Sequence, residues 1–324
     1  MPGPARPTAS SPLAWLLAAL CAASLVRPCP AAAQQVADST FDTSVAHPAF
    51  TARHPKVLFD EAHHNFHTST GRYKVFAELI AHDGCLVTPN RAAFSAASLA
   101  GYQVLVISNA LGGERMQDST ASNPAFTDPE CDAVRDWVRA GGSLLLIADH
   151  APMGAAARGM AARFGVDMRN GVTVDTVAAN HAQGNPTLIY YSRANGLIGD
   201  HAITRGRDST ERVSQVIAFT GQSLKGPEGS VAFLPLAPTA LDLIAPSLQA
   251  AVTMTPDQGI SAAGRAQGIA FAFGQGRVVV TGEAGMLSAQ LAGPSRFKMG
   301  MNYPGIDNRQ LALNIVRWLA GLLD

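Results

Sequence analysis

The run Leu144-Leu145-Leu146-Ile147 is apolar at every position. A strand of that kind has to be covered on both faces, which is the condition of a central strand in a parallel sheet. Val104-Leu105-Val106-Ile107 repeats the pattern, and Lys56-Val57-Leu58-Phe59-Asp60 reads as a third short buried strand. Helical spacing fills the gaps. Tyr73, Phe76, Ala77 and Ile80 share one face of a helix over 71–83 that Gly84 stops. Thr127 and Glu130 have capping-box spacing ahead of Val134, Trp137 and Val138, with Pro129 in the first turn. Gly154 to Phe164 is helical again. This alternation predicts an α/β fold with a doubly wound, mostly parallel sheet of flavodoxin-like type. The stretch 166–260 is less regular, with short β-like runs at Leu188–Tyr191, Val213–Phe219 and Val231–Leu236. Near the end, Ile269–Phe273 and Arg277–Thr281 flank Gly274-Gln275-Gly276 as a hairpin. Asp307 and Gln310 stand where they would cap a closing helix whose apolar face is Leu311, Ile315, Trp318, Leu319 and Leu322.

The 324 residues are 47% hydrophobic and 15% charged, enough to bury a full core. Formal net charge is zero, so no electrostatic footprint for nucleic acid or anionic lipid is present. Residues 1–33 read as a signal peptide: Arg6 in a polar start, an apolar stretch from Leu13 to Val26, and Ala31-Ala32-Ala33 as a small-residue cleavage pattern. Residues 34–54 lack periodicity and read as a linker, leaving 55–324 as a single α/β domain. No later segment approaches about 20 uninterrupted apolar residues, so no membrane span is expected after cleavage, and the expected location is periplasmic or secreted. Cys85 and Cys131 then remain. Their spacing fits no zinc or redox motif, and they read as two separate buried thiols.

Open parallel sheets bind ligands beyond the carboxyl ends of their strands. The first strand runs into Asp60-Glu61-Ala62-His63-His64-Asn65-Phe66-His67, with three histidines and two carboxylates in eight residues. Such a run can supply an acid–base pair or hold a metal. A divalent metal is the less favoured, because no second dense ligand motif of the HExxH kind accompanies it. The plainer reading is a solvated loop whose histidines cap the following helix. The letters Asp60-Glu61-Ala62-His63 also spell a helicase box, but the chain has no GxxxxGK[ST] phosphate loop. Asp149-His150 occupies a strand-to-helix turn, where a histidine serves as acid, base or ligand, or bonds to the strand-end backbone. Asn109 with Gly112 and Gly113 either offers N–H groups to an anionic oxygen or forms a turn that needs glycine. Glu283 either faces the cleft or caps a helix that begins near Ala284. His201, beside Asp200, is a further candidate ligand-binding group. There is no GxSxG elbow, and neither Cys85 nor Cys131 ends a strand.

Several of these segments resemble the class I glutamine amidotransferase-like superfamily, and within it the ThuA-like group and related periplasmic domains of unknown function. Gly141-Gly142-Ser143-Leu144 through His150 is similar to the ThuA-like glycine pair, strand and histidine. Asp200-His201-Ala202-Ile203-Thr204-Arg205-Gly206 resembles that group's His-Pro-Ile-Thr-x-Gly loop, with alanine in place of proline. Gly276–Thr281 followed by Glu283 resembles its last strand, and Asn308 to Gly321 its closing helix. Asp60 to Asn65 and Gly282 to Gln290 look like a domain of unknown function in the same superfamily. The resemblance spans about residues 55–324 and implies an amidotransferase-like fold with a carbohydrate-related ligand. One departure limits it. Amidotransferases place a cysteine where this chain has Asp149-His150, so glutamine hydrolysis through a thioester is not expected.

Three functions follow as expectations. The first is a hydrolase acting on a small polar or sugar-derived substrate, with His150, Asp149, Glu61, His63 and Glu283 as catalytic groups. Asp60, His64, Asn65, His67, Asn109, Gly112, Gly113 and His201 would bind the ligand. The second is a non-catalytic glycan- or peptide-binding module that uses the same cleft. The third is a scaffold protein, which needs an exposed apolar patch. The first two require that positions 61, 150 and 283 meet in one pocket.

Overall fold

Strands β4 (Val104–Ser108) and β5 (Ser143–Ile147) are buried along their whole length, as their unbroken apolar runs require. The computed structural model describes residues 35–324, which form one compact unit. The segment read as a signal peptide, 1–33, lies outside the described residues.

Among the described residues, nine strands join the largest sheet. β3 (Leu86–Asn90), β2 (Lys56–Asp60), β4, β5 and β7 (Gly276–Thr281) lie side by side in that order, and every neighbouring pair is parallel. β6 (Ala266–Phe273) closes the expected hairpin onto β7, with Phe273 opposite Gly276. Beyond it the sheet continues antiparallel through Leu224–Lys225 and Asp167–Met168, while Val231–Pro235 also pairs with β6. The sheet is therefore mostly parallel at its centre and antiparallel at one flank.

Helices cover both faces. α1 (Lys74–His82) packs on one face with the closing helix (Asn308–Leu319), bringing Phe76, Leu79, Ile80, Leu311 and Ile315 onto Val57, Phe59, Val106 and Leu145. α2 (Asp128–Arg139) and α3 (Met153–Ala162) cover the other, over Leu58, Leu105, Leu144 and Leu146. The odd–even division of these residues is the two-residue period of the pleat. α1 stops as expected: Gly84 has φ +104°, and a Cβ there would lie 2.1 Å from the Phe50 carbonyl oxygen.

Two expectations need correction. Residues 35–54 are not a free linker. Val36–Ala37 (β1) pairs with β8 (Ala289–Ala292), and Phe50 is buried in the core beside α1. Asp307 does not cap the closing helix with its side chain. Its carboxylate accepts the N–H groups of Ser214 and Gln215 instead, and Gln310 bonds to Asn314. Cys85 and Cys131 are free, buried, and packed on opposite faces of the sheet. Burial pushes their thiols up to about 12 and about 11, which leaves both unreactive near neutrality.

Candidate functional site

The parallel order of β2, β4, β5 and β7 brings their carboxyl ends to one edge, but the pleat then sorts the polar groups there onto two faces. On the α2 face, Asp60 ends β2 fully buried. Its carboxylate takes His63 Nδ1 at 2.9 Å, Asn65 Nδ2 at 3.0 Å and Asn90 Nδ2 at 3.2 Å. His63 Nε2 reaches Glu130 Oε1 at 2.9 Å, and the ring lies between Phe94 and Phe126, each 4.7 Å away by centroid. Glu130 also completes the expected capping box, accepting Thr127 N at 3.0 Å and Thr127 Oγ1 at 2.7 Å.

This clamp is charged. Burial alone would lower the pKa of His63, but the hydrogen bonds and charges of Asp60 and Glu130 outweigh it and raise that pKa. Burial would likewise raise Glu130, yet the Thr127 backbone N–H and His63 hold it down at about 2. Both ring nitrogens of His63 are engaged by carboxylates, so the side chain ties β2 to α2.

On the opposite face, His67, Tyr73, Ser108, Asp149 and Glu283 form a second layer. His67 stacks on Tyr73 at 4.7 Å, and its Nδ1 lies 3.2 Å from Ser108 Oγ. Tyr73 donates to the Ala284 carbonyl at 2.6 Å, and Asp149 accepts the Ala284 N–H. Burial, then the charges of Arg72 and His150, bring His67 down to about 3, so its imidazole is neutral at physiological pH. Glu283 is raised well above the usual carboxylate range by burial and by the nearby Asp149. Its oxygens accept Gly285 N at 2.5 Å and Met286 N at 2.7 Å, so it caps the short turn of helix Gly285–Leu287.

The pairing of Ser108 with His67 leaves no signal in the sequence, because a sequence separation of 41 obscures their contact. Their arrangement resembles a nucleophile and its base. Two facts oppose that use: Ser108 is fully buried, and a histidine that protonates at about 3 is a weak base near neutrality.

The remaining candidates are dispersed. Asp149 does sit near Glu283, which feels its charge. Asp149 Oδ1 is occupied by the His150 N–H at 2.7 Å, and His150 Nδ1 lies 2.8 Å from the Ala151 carbonyl. Glu61 is turned away from them. It accepts Ser69 N and Oγ at 2.9 and 2.6 Å and faces Arg91 beyond β3. Of the expected groups, Asp149 and Glu283 lie together, and Glu61 is bonded elsewhere. His64 is exposed at φ +47°. Asn65 serves the Asp60 clamp, and Asn109 Oδ1 accepts Asp149 N at 2.9 Å.

Gly112 donates its N–H to Ala121, and a Cβ there would strike the Asn123 carbonyl at 2.3 Å. It serves loop packing and is not an oxyanion hole, and Gly113 is crowded likewise by Thr120. His201 caps Ala202–Arg205 and packs edge-on to Trp318. It lies near Arg277, at the amino end of β7 and so at the far edge of the sheet from His150. Among the described residues, no group of three or more His, Cys, Asp or Glu side chains is arranged to hold a metal ion.

Beside the edge is a cavity of about 630 Å³ between the loop 116–122, Ala151–Pro152 and Pro246–Gln249. It begins one residue past His150. Gln117, Ser119, Ser122 and Gln249 bring amides and hydroxyls to its wall, and Met116 and Pro152 bring apolar surface. Asp118 is the acidic residue in the lining, and it is already paired with Arg115 at 3.2 Å. No helix among the described residues is long and apolar enough to cross a membrane.

No family model matches the chain, and no curated protein does. Solved structures do match. The mmIFT52 N-terminal domain is similar at a TM-score of 0.54 and 12% identity, over 82% of this chain and 97% of that one. A GMP synthase component from Thermoplasma acidophilum matches at 0.39 and 13% identity, over 83% and 95%. A ThuA-like protein from Bacteroides uniformis ATCC 8492 matches at 0.37 and 11%, over 85% and 93%. The likeness to the mmIFT52 domain agrees with the α/β fold with a mostly parallel central sheet described above. At such identities the likeness concerns the fold alone.

Proposed function

We propose that this protein is a non-catalytic binding module that takes a neutral, polyhydroxylated ligand such as a short glycan in the cavity beside β5. One observation carries the reading. Asp60, Glu61, His63, Asp149 and Glu283 at the strand ends are committed to internal hydrogen bonds, whereas the adjoining cavity is walled mostly by neutral amides, hydroxyls and apolar groups. Its volume of about 630 Å³ suits a small-molecule ligand. Side chains that both donate and accept match sugar hydroxyls, and a wall with so little free charge gives a charged ligand no counter-ion.

Calorimetric titration of the protein with neutral oligosaccharides, acidic sugars and uncharged peptides tests this. The neutral sugars bind, and the Gln117→Ala/Gln249→Ala double variant weakens them roughly thirtyfold, from two lost hydrogen bonds of about 1 kcal/mol each. His150→Ala leaves that affinity unchanged. If no neutral sugar binds, the proposal fails. If a bound sugar is cleaved, and the cleavage disappears in His150→Ala, the protein is a hydrolase instead.

A further inference from the structure

A second cavity, of about 420 Å³, opens beside β1 between the segment 38–42 and the strand β9 (Phe297–Gly300). Its wall holds two anions, Asp38 and Asp42, and two cations, Lys298 and Arg309. Among the described residues none of the four joins an ion pair, and Arg309 also donates to the Ser44 carbonyl, so both signs of charge line one space.

Asn302 adds an independent sign. It is only 8% exposed. Its Nδ2 is spent on Asp38 Oδ2 and the Gln290 carbonyl, each at 3.0 Å, while its Oδ1 has no partner. A buried amide oxygen without a donor costs free energy that a ligand N–H would recover. Asp38 is fixed beside it, because its Oδ1 accepts Thr40 N at 3.1 Å and Thr40 Oγ1 at 2.7 Å. Acceptors therefore gather around Asp38 and Asn302, whereas Lys298 and Arg309 offer donors only. Phe41 and Met301 supply apolar surface in the same cavity.

We propose that this cavity binds a small zwitterion of the α-amino acid class. The ammonium group faces Asp38 and the unpartnered Asn302 oxygen, the carboxylate faces Lys298 and Arg309, and an apolar side chain rests on Phe41 and Met301. The ligand differs in charge and place from the neutral sugar assigned to the other cavity, so either assignment can fail without the other.

Calorimetry with L-leucine, N-acetyl-L-leucine and L-leucinamide on the same protein is the test. Free leucine binds. Either cap weakens it by about tenfold or more, the loss of one charge-assisted contact. Lys298→Ala, at an exposed position, lowers leucine affinity about fivefold and leaves thermal stability unchanged. Raised salt weakens the interaction in parallel. The site is refuted if leucine does not bind at millimolar concentration, if a capped form binds equally well, or if Lys298→Ala has no effect.

Discussion

The two faces of the sheet treat the same residue types in opposite ways at the same edge. On the α2 face, His63 sits between Asp60 and Glu130, which favour its charged form. On the α1 face, His67 is stacked on Tyr73 against Ser108 and is neutral, and Glu283 beside Asp149 is pushed towards its protonated form. Only a few residues separate the two histidines in sequence. What differs is whether burial is matched by a counter-charge. Pairing outweighs desolvation at His63, and desolvation wins at His67.

The largest effect is expected from His63→Ala, which leaves Asp60 and Glu130 buried without their shared cation. It destabilises the fold by about 3 kcal/mol, read by urea unfolding at neutral pH. A loss below about 1 kcal/mol would mean that the clamp is not charged.

His67→Phe keeps the stacked ring and loses one hydrogen bond, about 1 kcal/mol at neutral pH. Its sharper readout is the pH profile. The free histidine protonates near 6.5 and the folded one at about 3. Between those values the unfolded chain binds more protons, so wild-type stability falls as pH drops through the window. His67→Phe flattens that part of the curve. His63 has the opposite slope: its raised pKa adds stability that is full below about 6.5 and fades as pH rises through its folded value. Glu130 contributes above its unfolded value of 4.5, and that contribution is lost towards about 2.

The smallest effect is expected at Glu283. Burial and Asp149 push the side chain towards its uncharged form, so Glu283→Gln costs at most one backbone contact, below about 1 kcal/mol. Glu130→Gln, the same change on the other face, costs more because it removes a charge from the clamp. Equal losses in the two variants would erase the contrast between the faces.

Most of the scaffold was legible because its signals are local. The runs at 104–107 and 144–147 became central parallel strands, Thr127 and Glu130 closed their capping box, and Gly274–Gly276 turned the hairpin. The site was legible only in outline. Asp149 and Glu283 did come together, but Glu61 turned to Ser69 and His201 lay at the other edge. Glu130 and Ser108, which decide the state of His63 and the position of His67, lie far from them in sequence, and the capping-box signal of Glu130 says nothing of His63.

Apolar periodicity, glycine stops and cap spacing by themselves determined that this chain forms a doubly wound α/β sheet with polar groups beyond its strand ends. Each of those signals acts within a few residues and survives without knowledge of the neighbours. Which face of the sheet a strand-end side chain joins, and whether it meets a counter-charge there, was decided only in the tertiary structure. The protonation of a buried histidine depends on the sum of desolvation and partners, and those partners are brought in by strands and helices distant in the chain.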